Sequence, residues 1–483
     1  MSPLLVVSIL LLYFAVLIAI SLITSRGATS DTFFTANRQS PWYLVAYGMI
    51  GASLSGVTFI SVPAAVGNTS FSYFQVVLGY VLGYWAIIGI LMPLYYRLNL
   101  ISIYSYLEDR FDKISYKTGS FFFILSRSMG SSLRLFLAAS VLQLFLFDAW
   151  NIPFFATVAI TIFFIWIYTF RGGIKTIVWT DTFQTTFLIL AVVISVILIA
   201  QRLNLGFFDL FSLVFDSDYS RIFYFDDPNS TLFFPKQFFG GAFIALTMTG
   251  MDQDLMQKNL TCRTLGDAQK NMFWLSSTLV VVNLLFLMLG ALLYIYSAKF
   301  NIPLPEVRDE LFPRLAFDEF GTVAAVLFLL GITASTYASS DSALAALTTS
   351  FCIDFLNFKR KKEDEKQRQK NLVHIGFSVL FLVIILIFKE VNERSLIDAV
   401  LMVATYTYGP LLGLFSFGVF TKRKVNGKWV PLICVLAPAS CYLLVSNSSS
   451  LFGGYQIGLE NLILNGLMTC LGLLLISKNE KAA

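Results

Sequence analysis

The sequence predicts an all-α integral membrane protein of about thirteen transmembrane helices, ten of them forming two inverted blocks of five. Three observations carry this: the composition, the lengths of the apolar runs, and the alternation of basic loops. Of 483 residues, 57% are hydrophobic and 13% charged, and the mean hydropathy is +0.74. A soluble chain of this length would carry about 25% charged residues and divide into roughly three domains. The composition excludes a water-soluble multidomain protein, a disordered chain and a nucleic-acid binder. The net charge of +5 is small and comes from short loops, not from one basic face. The five cysteines, Cys262, Cys352, Cys434, Cys441 and Cys470, show no CxxC spacing, which argues against a disulfide framework or a zinc site. A single histidine, His374, makes multi-histidine metal chemistry implausible.

A spanning helix needs about 20 mainly apolar residues. Candidate runs lie near 4–22, 41–66, 73–96, 119–147, 152–168, 177–200 and 235–251, then near 273–296, 323–348, 372–388, 396–420, 430–445 and 462–476. The first lacks a basic flank and a small-residue cleavage site, so it reads as a retained helix and not a signal peptide. Alternate loops hold the lysines and arginines: Arg26 and Arg38; Arg97, Arg110, Lys113 and Lys117; Arg171 and Lys175; Lys258, Arg263 and Lys270; the run 359–370; and Lys422, Arg423, Lys424 and Lys428. Basic short loops stay cytoplasmic. With thirteen spans, this bias puts the N-terminus outside and the C-terminus in the cytoplasm. The longest intervening loop, 202–234, instead carries Asp209, Asp216, Asp218, Asp226 and Asp227.

The chain then divides into a leading helix and cytoplasmic loop (1–40), a first five-helix block (41–201), an extracellular loop (202–234), a second block (235–421) and two closing helices with a short tail (422–483). Five is odd, so the second block begins on the opposite side of the membrane, the arithmetic of an inverted repeat. The opening helix of each block is interrupted by small residues. They are Gly48, Gly51, Ala52, Ser53, Ser55 and Gly56 in the first, and Gly240-Gly241 with Thr247-Met248-Thr249-Gly250 in the second. Paired breaks at corresponding positions point to a midplane binding site. A break frees backbone groups in hydrocarbon, where each unsatisfied group costs several kcal/mol. A cation on the carbonyls and a polar solute on the amides would satisfy them.

Polar residues within spans sharpen the site. Ser335, Ser339 and Ser342 lie at i, i+4 and i+7 and share a helical face, with Thr336 and Ser340 beside them. Such a row of neutral oxygens suits a hard monovalent cation. The alternative is hydroxyls that bond back to carbonyls of their own helix. Asp181 and Asp341 are acids within spans, where charge is rare and usually functional. Arg127 and Arg134, seven residues apart, face one way and point either to a carboxylate solute held in bidentate fashion or to neutralisation of Asp181 or Asp341. Asp252, Asp254 and Lys258 read as a water-facing helix end, with Asp254 and Lys258 as an i,i+4 pair.

At this point the sequence resembles the sodium/solute symporter family over about residues 30–425. The matching stretches are Leu54-Ser55-Gly56-Val57-Thr58-Phe59, Tyr106-Leu107-Glu108-Asp109-Arg110-Phe111, and Arg171-Gly172-Gly173-Ile174 leading to Trp179-Thr180-Asp181. Two more are Ser339-Ser340-Asp341-Ser342 and Tyr408-Gly409-Pro410-Leu411-Leu412-Gly413-Leu414-Phe415. The resemblance implies a leucine-transporter-like fold. It also implies a sodium site at Gly51, Leu54, Thr336, Ser339 and Ser340. A second sodium would sit at Asp181, Ser339 and Ser342 with help from Asp341, although Ala343 stands where such members carry a hydroxyl. Substrate contacts would fall on Ser55 and Thr58 with Tyr73 and Gln75 opposite, and on Arg127 and Arg134.

The expected function is sodium-coupled symport of a small polar solute, such as a sugar, sugar acid or other organic anion, into the cell by alternating access. Its partners are the solute, sodium ions and the lipid bilayer of the cell membrane. Moving one charge across 100 mV contributes about 2.3 kcal/mol, so the number of sodium ions sets how steeply solute is concentrated. The alternatives are proton coupling through Asp181 or Asp341, or a transporter-like sensor, which the short tail disfavours. An enzyme would need a nucleophile–base pair or metal cluster that the sequence does not offer. The sequence is silent on oligomeric state; a monomer is compatible with it.

Overall fold

The computed structural model describes residues 3–27, 30–356, 358, 361–391 and 396–478. The basic residues Lys359 and Arg360 and the tail beyond residue 478 lie outside them. Almost every described element is helical. Eight helices are long and apolar enough to cross a bilayer singly, and two bent pairs bring the number to ten.

The leading helix α1 (Pro3–Thr24) exposes Leu11, Leu12, Leu22 and Ile23. Such a row is costly in water and stable in lipid. The first block opens with a bent pair, α2 (Trp42–Ser53) and α3 (Gly56–Thr69), which meet at 55°. Leu54 (φ −88°, ψ 78°) and Ser55 (φ −66°, ψ 170°) leave helical geometry between them. Then follow α4 (Tyr73–Ala86), extended to Arg97 through a π turn, and α5 (Lys113–Leu142). Asp112 caps α5, accepting from the Ser115 amide at 2.8 Å. Helices α6 (Phe154–Thr169) and α7 (Gly173–Leu203) meet at Gly173, whose φ of +51° is costly for any residue with a Cβ. A Cβ there would also strike the Phe33 ring.

The second block opens with α8 (Phe234–Ala245), a π turn (Leu246–Gly250) and α9 (Gln253–Asn259). The break differs from the sequence expectation. Gly240 and Gly241 sit inside regular helix, where a Cβ on Gly241 would collide with the Val76 carbonyl of α4. They serve close packing. The chain departs from helix one step later, at Met251 (φ −110°, ψ 14°) and Asp252 (φ −107°, ψ 124°). Next come α10 (Leu265–Lys299), α11 (Thr322–Ser350) and α12 (Glu363–Val391). A second bent pair follows, α13 (Leu396–Thr407) and α14 (Gly409–Phe420), with a 41° bend. The sequence reading took 396–420 as one span, and the bent pair occupies it. Pro410 lacks the amide that would continue the ladder, which accounts for the bend. Helices α15 (Val430–Ser446) and α16 (Asn461–Leu475) close the chain. A two-residue antiparallel ribbon, Lys424 opposite Lys478 and Val425 opposite Ser477, ties the last helix to the loop after α14.

The core is built around α11, whose residues from Phe328 to Ser350 are all buried. It packs on α6 and α7, on α5, and on both α2 and α3. The broken pair thus lies between α11 on one side and α7 and α10 on the other. Beneath it, the Ser40 amide donates to the Thr261 carbonyl at 3.0 Å, part of a short bridge between Ser40 and Cys262.

Candidate functional site

The break between α2 and α3 is held by close approach. A Cβ on Gly56 would overlap the Thr336 hydroxyl of α11, and one on Gly51 would overlap Thr185 of α7. Only glycine lets the chain pass so near both neighbours. The Gly51 amide donates to Thr185 Oγ1 at 3.1 Å, and that hydroxyl donates to the Gly48 carbonyl at 3.3 Å. Thr185 was missed from sequence, because a threonine in an apolar run carries no signal until its neighbour is known. The last four carbonyls of α2, up to Leu54, have no partner within their helix.

Across from them stands the hydroxyl face of α11. Thr336 Oγ1 and Ser340 Oγ are buried without a hydrogen-bond partner. Ser339 donates to the Thr336 carbonyl at 2.9 Å, which leaves its oxygen lone pairs uncommitted. Buried polar groups of this kind are normally satisfied. Orphan carbonyls facing orphan hydroxyls fit a dehydrated sodium ion, which needs oxygen ligands and little protein charge. Gly51 is turned toward α7, whereas the chain just past Leu54 passes Thr336 of α11 at Gly56.

The second break is satisfied by the protein itself. The Gly250 carbonyl accepts from Tyr95 at 2.8 Å and the Met251 carbonyl from Tyr104 at 2.9 Å. Asp252 accepts from the Asp254 amide at 2.8 Å and also takes the Tyr408 hydroxyl. The expected water-facing helix end is therefore corrected: Asp252, Asp254 and Lys258 are all fully buried. Asp254 and Lys258 are not each other's partners. Asp254 pairs with Arg127, while Lys258 pairs with Asp181 at 2.6 Å. Arg127 thus neutralises the second broken helix and not Asp181 or Asp341. Asp341 accepts from Tyr168 at 2.8 Å, and Ser342 donates to the Ala338 carbonyl at 2.9 Å and reaches Asp254 at 3.2 Å. Of the residues expected at a second sodium site, Asp181 and Ser342 are thus bound into this ionic layer, Asp341 is held by Tyr168, and Ser339 stays with the Thr336 carbonyl.

Above the layer lies a cavity of about 100 Å³. Leu54, expected at the sodium site, lines it together with Ser55, Thr58, Tyr73, Arg127 and Arg134, which were expected to contact the solute. Gln75 does not. It donates to the Leu232 carbonyl at 3.0 Å and accepts from the Tyr224 amide at 3.2 Å, pinning the long loop before α8. The cavity walls also include Ser53, Met248 and Thr249 from the two marked breaks, and Tyr80, Tyr84 and Asn283, which sequence reasoning missed. Asn283 carried a signal, an amide inside an apolar span. Ser53 Oγ, Asn283 Oδ1 and Arg134 Nε are buried there without partners. Arg134 makes no ion pair among the described residues, unlike Arg127. A second, larger space of about 1220 Å³ lies beyond, and Tyr73 and Leu401 border both.

His374, the only histidine, is buried between Thr169 at 3.2 Å and Thr348 at 2.9 Å, a structural placement. No cluster of three metal-ligating side chains occurs among the described residues.

Comparison with known proteins agrees with this geometry. Over 440 residues the chain is 25% identical to a sodium/sialic acid symporter of Aliivibrio fischeri, spanning 88% of this chain and 84% of that one. It is 28% identical over 405 residues to sodium-coupled monocarboxylate transporter 1 of Mus musculus, spanning 81% of this chain and 64% of the mouse protein. A solved structure described as the substrate-bound outward-open state of a Na+-coupled sialic acid symporter superposes with a TM-score of 0.83 at 18% identity. The overlap covers 98% of this chain and 99% of that one, which shows a shared fold. These relatives are membrane carriers and not enzymes. The profile described as "Sodium:solute symporter family" matches residues 33–428, a stretch that holds both broken helices, the hydroxyl face and the cavity. The chain therefore belongs to the sodium:solute symporter family and is an integral membrane, sodium-coupled carrier.

Proposed function

We propose that the chain carries a small organic anion into the cell together with sodium, and that Arg134 is the group that receives its carboxylate. One observation carries this reading. Arg134 is buried on the cavity wall with no ion pair among the described residues, whereas its neighbour Arg127 is taken by Asp254. A buried guanidinium without a counter-charge is costly, and a planar carboxylate is its natural complement. Ser53 and Asn283 supply unpartnered oxygens for hydroxyls on the same solute. The named relatives support the class, since sialic acid and monocarboxylates share a carboxylate. The cavity of about 100 Å³ favours the smaller monocarboxylates, because pockets for drug-sized ligands run to about 300–1,000 Å³. The sialic acid relatives favour a sugar acid as the second reading.

In this reading the sodium ion sits at Leu54, Thr336, Ser339 and Ser340, with the Gly51 carbonyl completing the shell. It ties the first broken helix to α11 and so shapes the cavity floor. Sodium and solute then each bind better when the other is present, which is all that coupling requires. Counting α6, α16 and the stretch 234–250 as crossing gives thirteen spans, with two five-helix blocks at 41–201 and 235–421. The larger space then opens outward, and the ionic layer seals the cytoplasmic side. The test is uptake of labelled lactate and N-acetylneuraminate by reconstituted vesicles under an inward sodium gradient, with choline as control. Sodium-driven uptake of either acid, lost in Arg134→Gln, is the expected result. Uptake that follows pH and ignores sodium would sink the reading, as would sodium-driven uptake of neutral sugars alone.

A further inference from the structure

We propose that Lys258 is a tethered cation that permanently fills the place of a second sodium ion, so the carrier binds and moves one sodium per cycle. This deepens the sodium-coupled reading and rests on it. The argument begins with Asp181. It lies on α7 beneath the first broken helix, where a Cβ on Gly48 would stand 2.9 Å from its own Cβ. Asp341 of α11 lies within the field of both Asp181 and Lys258. Two acids and the Ser342 hydroxyl between broken helices make a site that a free cation would enter, because buried carboxylates demand a counter-charge. The chain supplies one from its own side chains. The Lys258 ammonium meets Asp181 Oδ2 at 2.6 Å, and both side chains are 1% exposed. Lys258 stays anchored there because the Thr261 hydroxyl donates to its carbonyl at 2.6 Å, closing the turn at the end of α9.

Some of the competing oxygens are also committed, while Asp181 Oδ1 and Asp341 Oδ1 keep no hydrogen-bond partner. Ser342 is shared between the Ala338 carbonyl and Asp254, and one oxygen of Asp341 takes the Tyr168 hydroxyl. Unpartnered oxygens occur at both locations, and what separates them is the ammonium already seated at the second. At the first break, Thr336 Oγ1 and Ser340 Oγ have no hydrogen-bond partner, and no lysine or arginine ion pair among the described residues involves these residues or Leu54. One location therefore awaits an ion and the other already has one. A tethered ammonium cannot dissociate into the cell, so its charge returns with the protein at each turnover. With a monovalent anion as cargo, the cycle then moves no net charge.

The test counts ions without needing the solute. Equilibrium binding of 22Na+ to the purified full chain should saturate at one ion per protein. Lys258→Met should raise this to two by vacating the place of the ammonium. The double variant Asp181→Asn with Lys258→Met removes both charges and should return the count to one with an unchanged half-saturation. Two ions on the wild-type protein would overturn the inference, as would a count of one in a folded K258M. The wild-type count decides the matter even if K258M does not fold. No saturable 22Na+ binding to the wild type would instead overturn the sodium-coupled reading, and this inference with it. A second readout follows in vesicles. If the cargo is lactate, its uptake should not change when a potassium–valinomycin potential is imposed, whereas two sodium ions per lactate would make it accelerate at negative interior.

Discussion

Arg127 and Arg134 show how far a single residue can be read from sequence. Their spacing placed both on one face, and the structure puts both on the cavity. Sequence left open which of them was spent on the protein. That depended on Asp254, 127 positions away from Arg127, and no local pattern encodes such a distance. We expect Arg134→Gln to lower carboxylate uptake at least 50-fold while leaving 22Na+ binding within a few-fold, measured on the same reconstituted sample. Arg127→Gln should instead lower the yield of folded protein. It leaves Asp254 buried and uncompensated, which costs about 3–5 kcal/mol; a thermal unfolding midpoint equal to wild type would refute this. The hydroxyls of α11 were legible as a face, because i, i+4, i+7 spacing is set by helix geometry alone. Which of them lack partners was not legible. Ser340→Ala should raise the sodium concentration for half-maximal activation about tenfold, since it removes an uncommitted oxygen, while Ser342→Ala should move it much less.

At the scale of elements, the spans were readable because lipid imposes a minimum apolar length. The first break was readable because three glycines crowd it. The second was misplaced by a few residues. Gly240-Gly241 looked like a break and is a packing contact, whereas Met251-Asp252 looked like a helix end and is the break. Charged residues suggested water, yet Arg127, Tyr408 and Asp181, from three other segments, made burial affordable. The two breaks differ in kind. Tyr95 and Tyr104 quench the carbonyls of the second, which leaves the first as the open one. Tyr104→Phe strands the Met251 carbonyl and should destabilise the protein by about 1–3 kcal/mol, seen as a lower unfolding midpoint. Gly56→Val drives a side chain into the Thr336 hydroxyl. It should abolish sodium activation in protein that still reaches the membrane; wild-type sodium dependence would refute the placement.

For the whole molecule, the large space and the small cavity meet at Tyr73 and Leu401. Under the proposed function that arrangement would be one face of alternating access, with the ionic layer as the closed side. Of the five native cysteines, four are buried and Cys470 is partly so, so background labelling by a membrane-impermeant maleimide should be low. Gln143→Cys in the large space should react from outside in sodium, and more slowly once sodium and a transported acid are both present. Equal rates in both conditions would argue that the space does not close.

The small bridge between Ser40 and Cys262 has a mechanical consequence. It fastens the base of the first snapped helix to the foot of the second, on strands of chain separated by more than two hundred residues. One such bond contributes about 0.5–1.5 kcal/mol, enough to favour the two halves moving together. In the proposed cycle, a tilt that releases the cargo inward would break this bond unless both lower halves turn as a single lever.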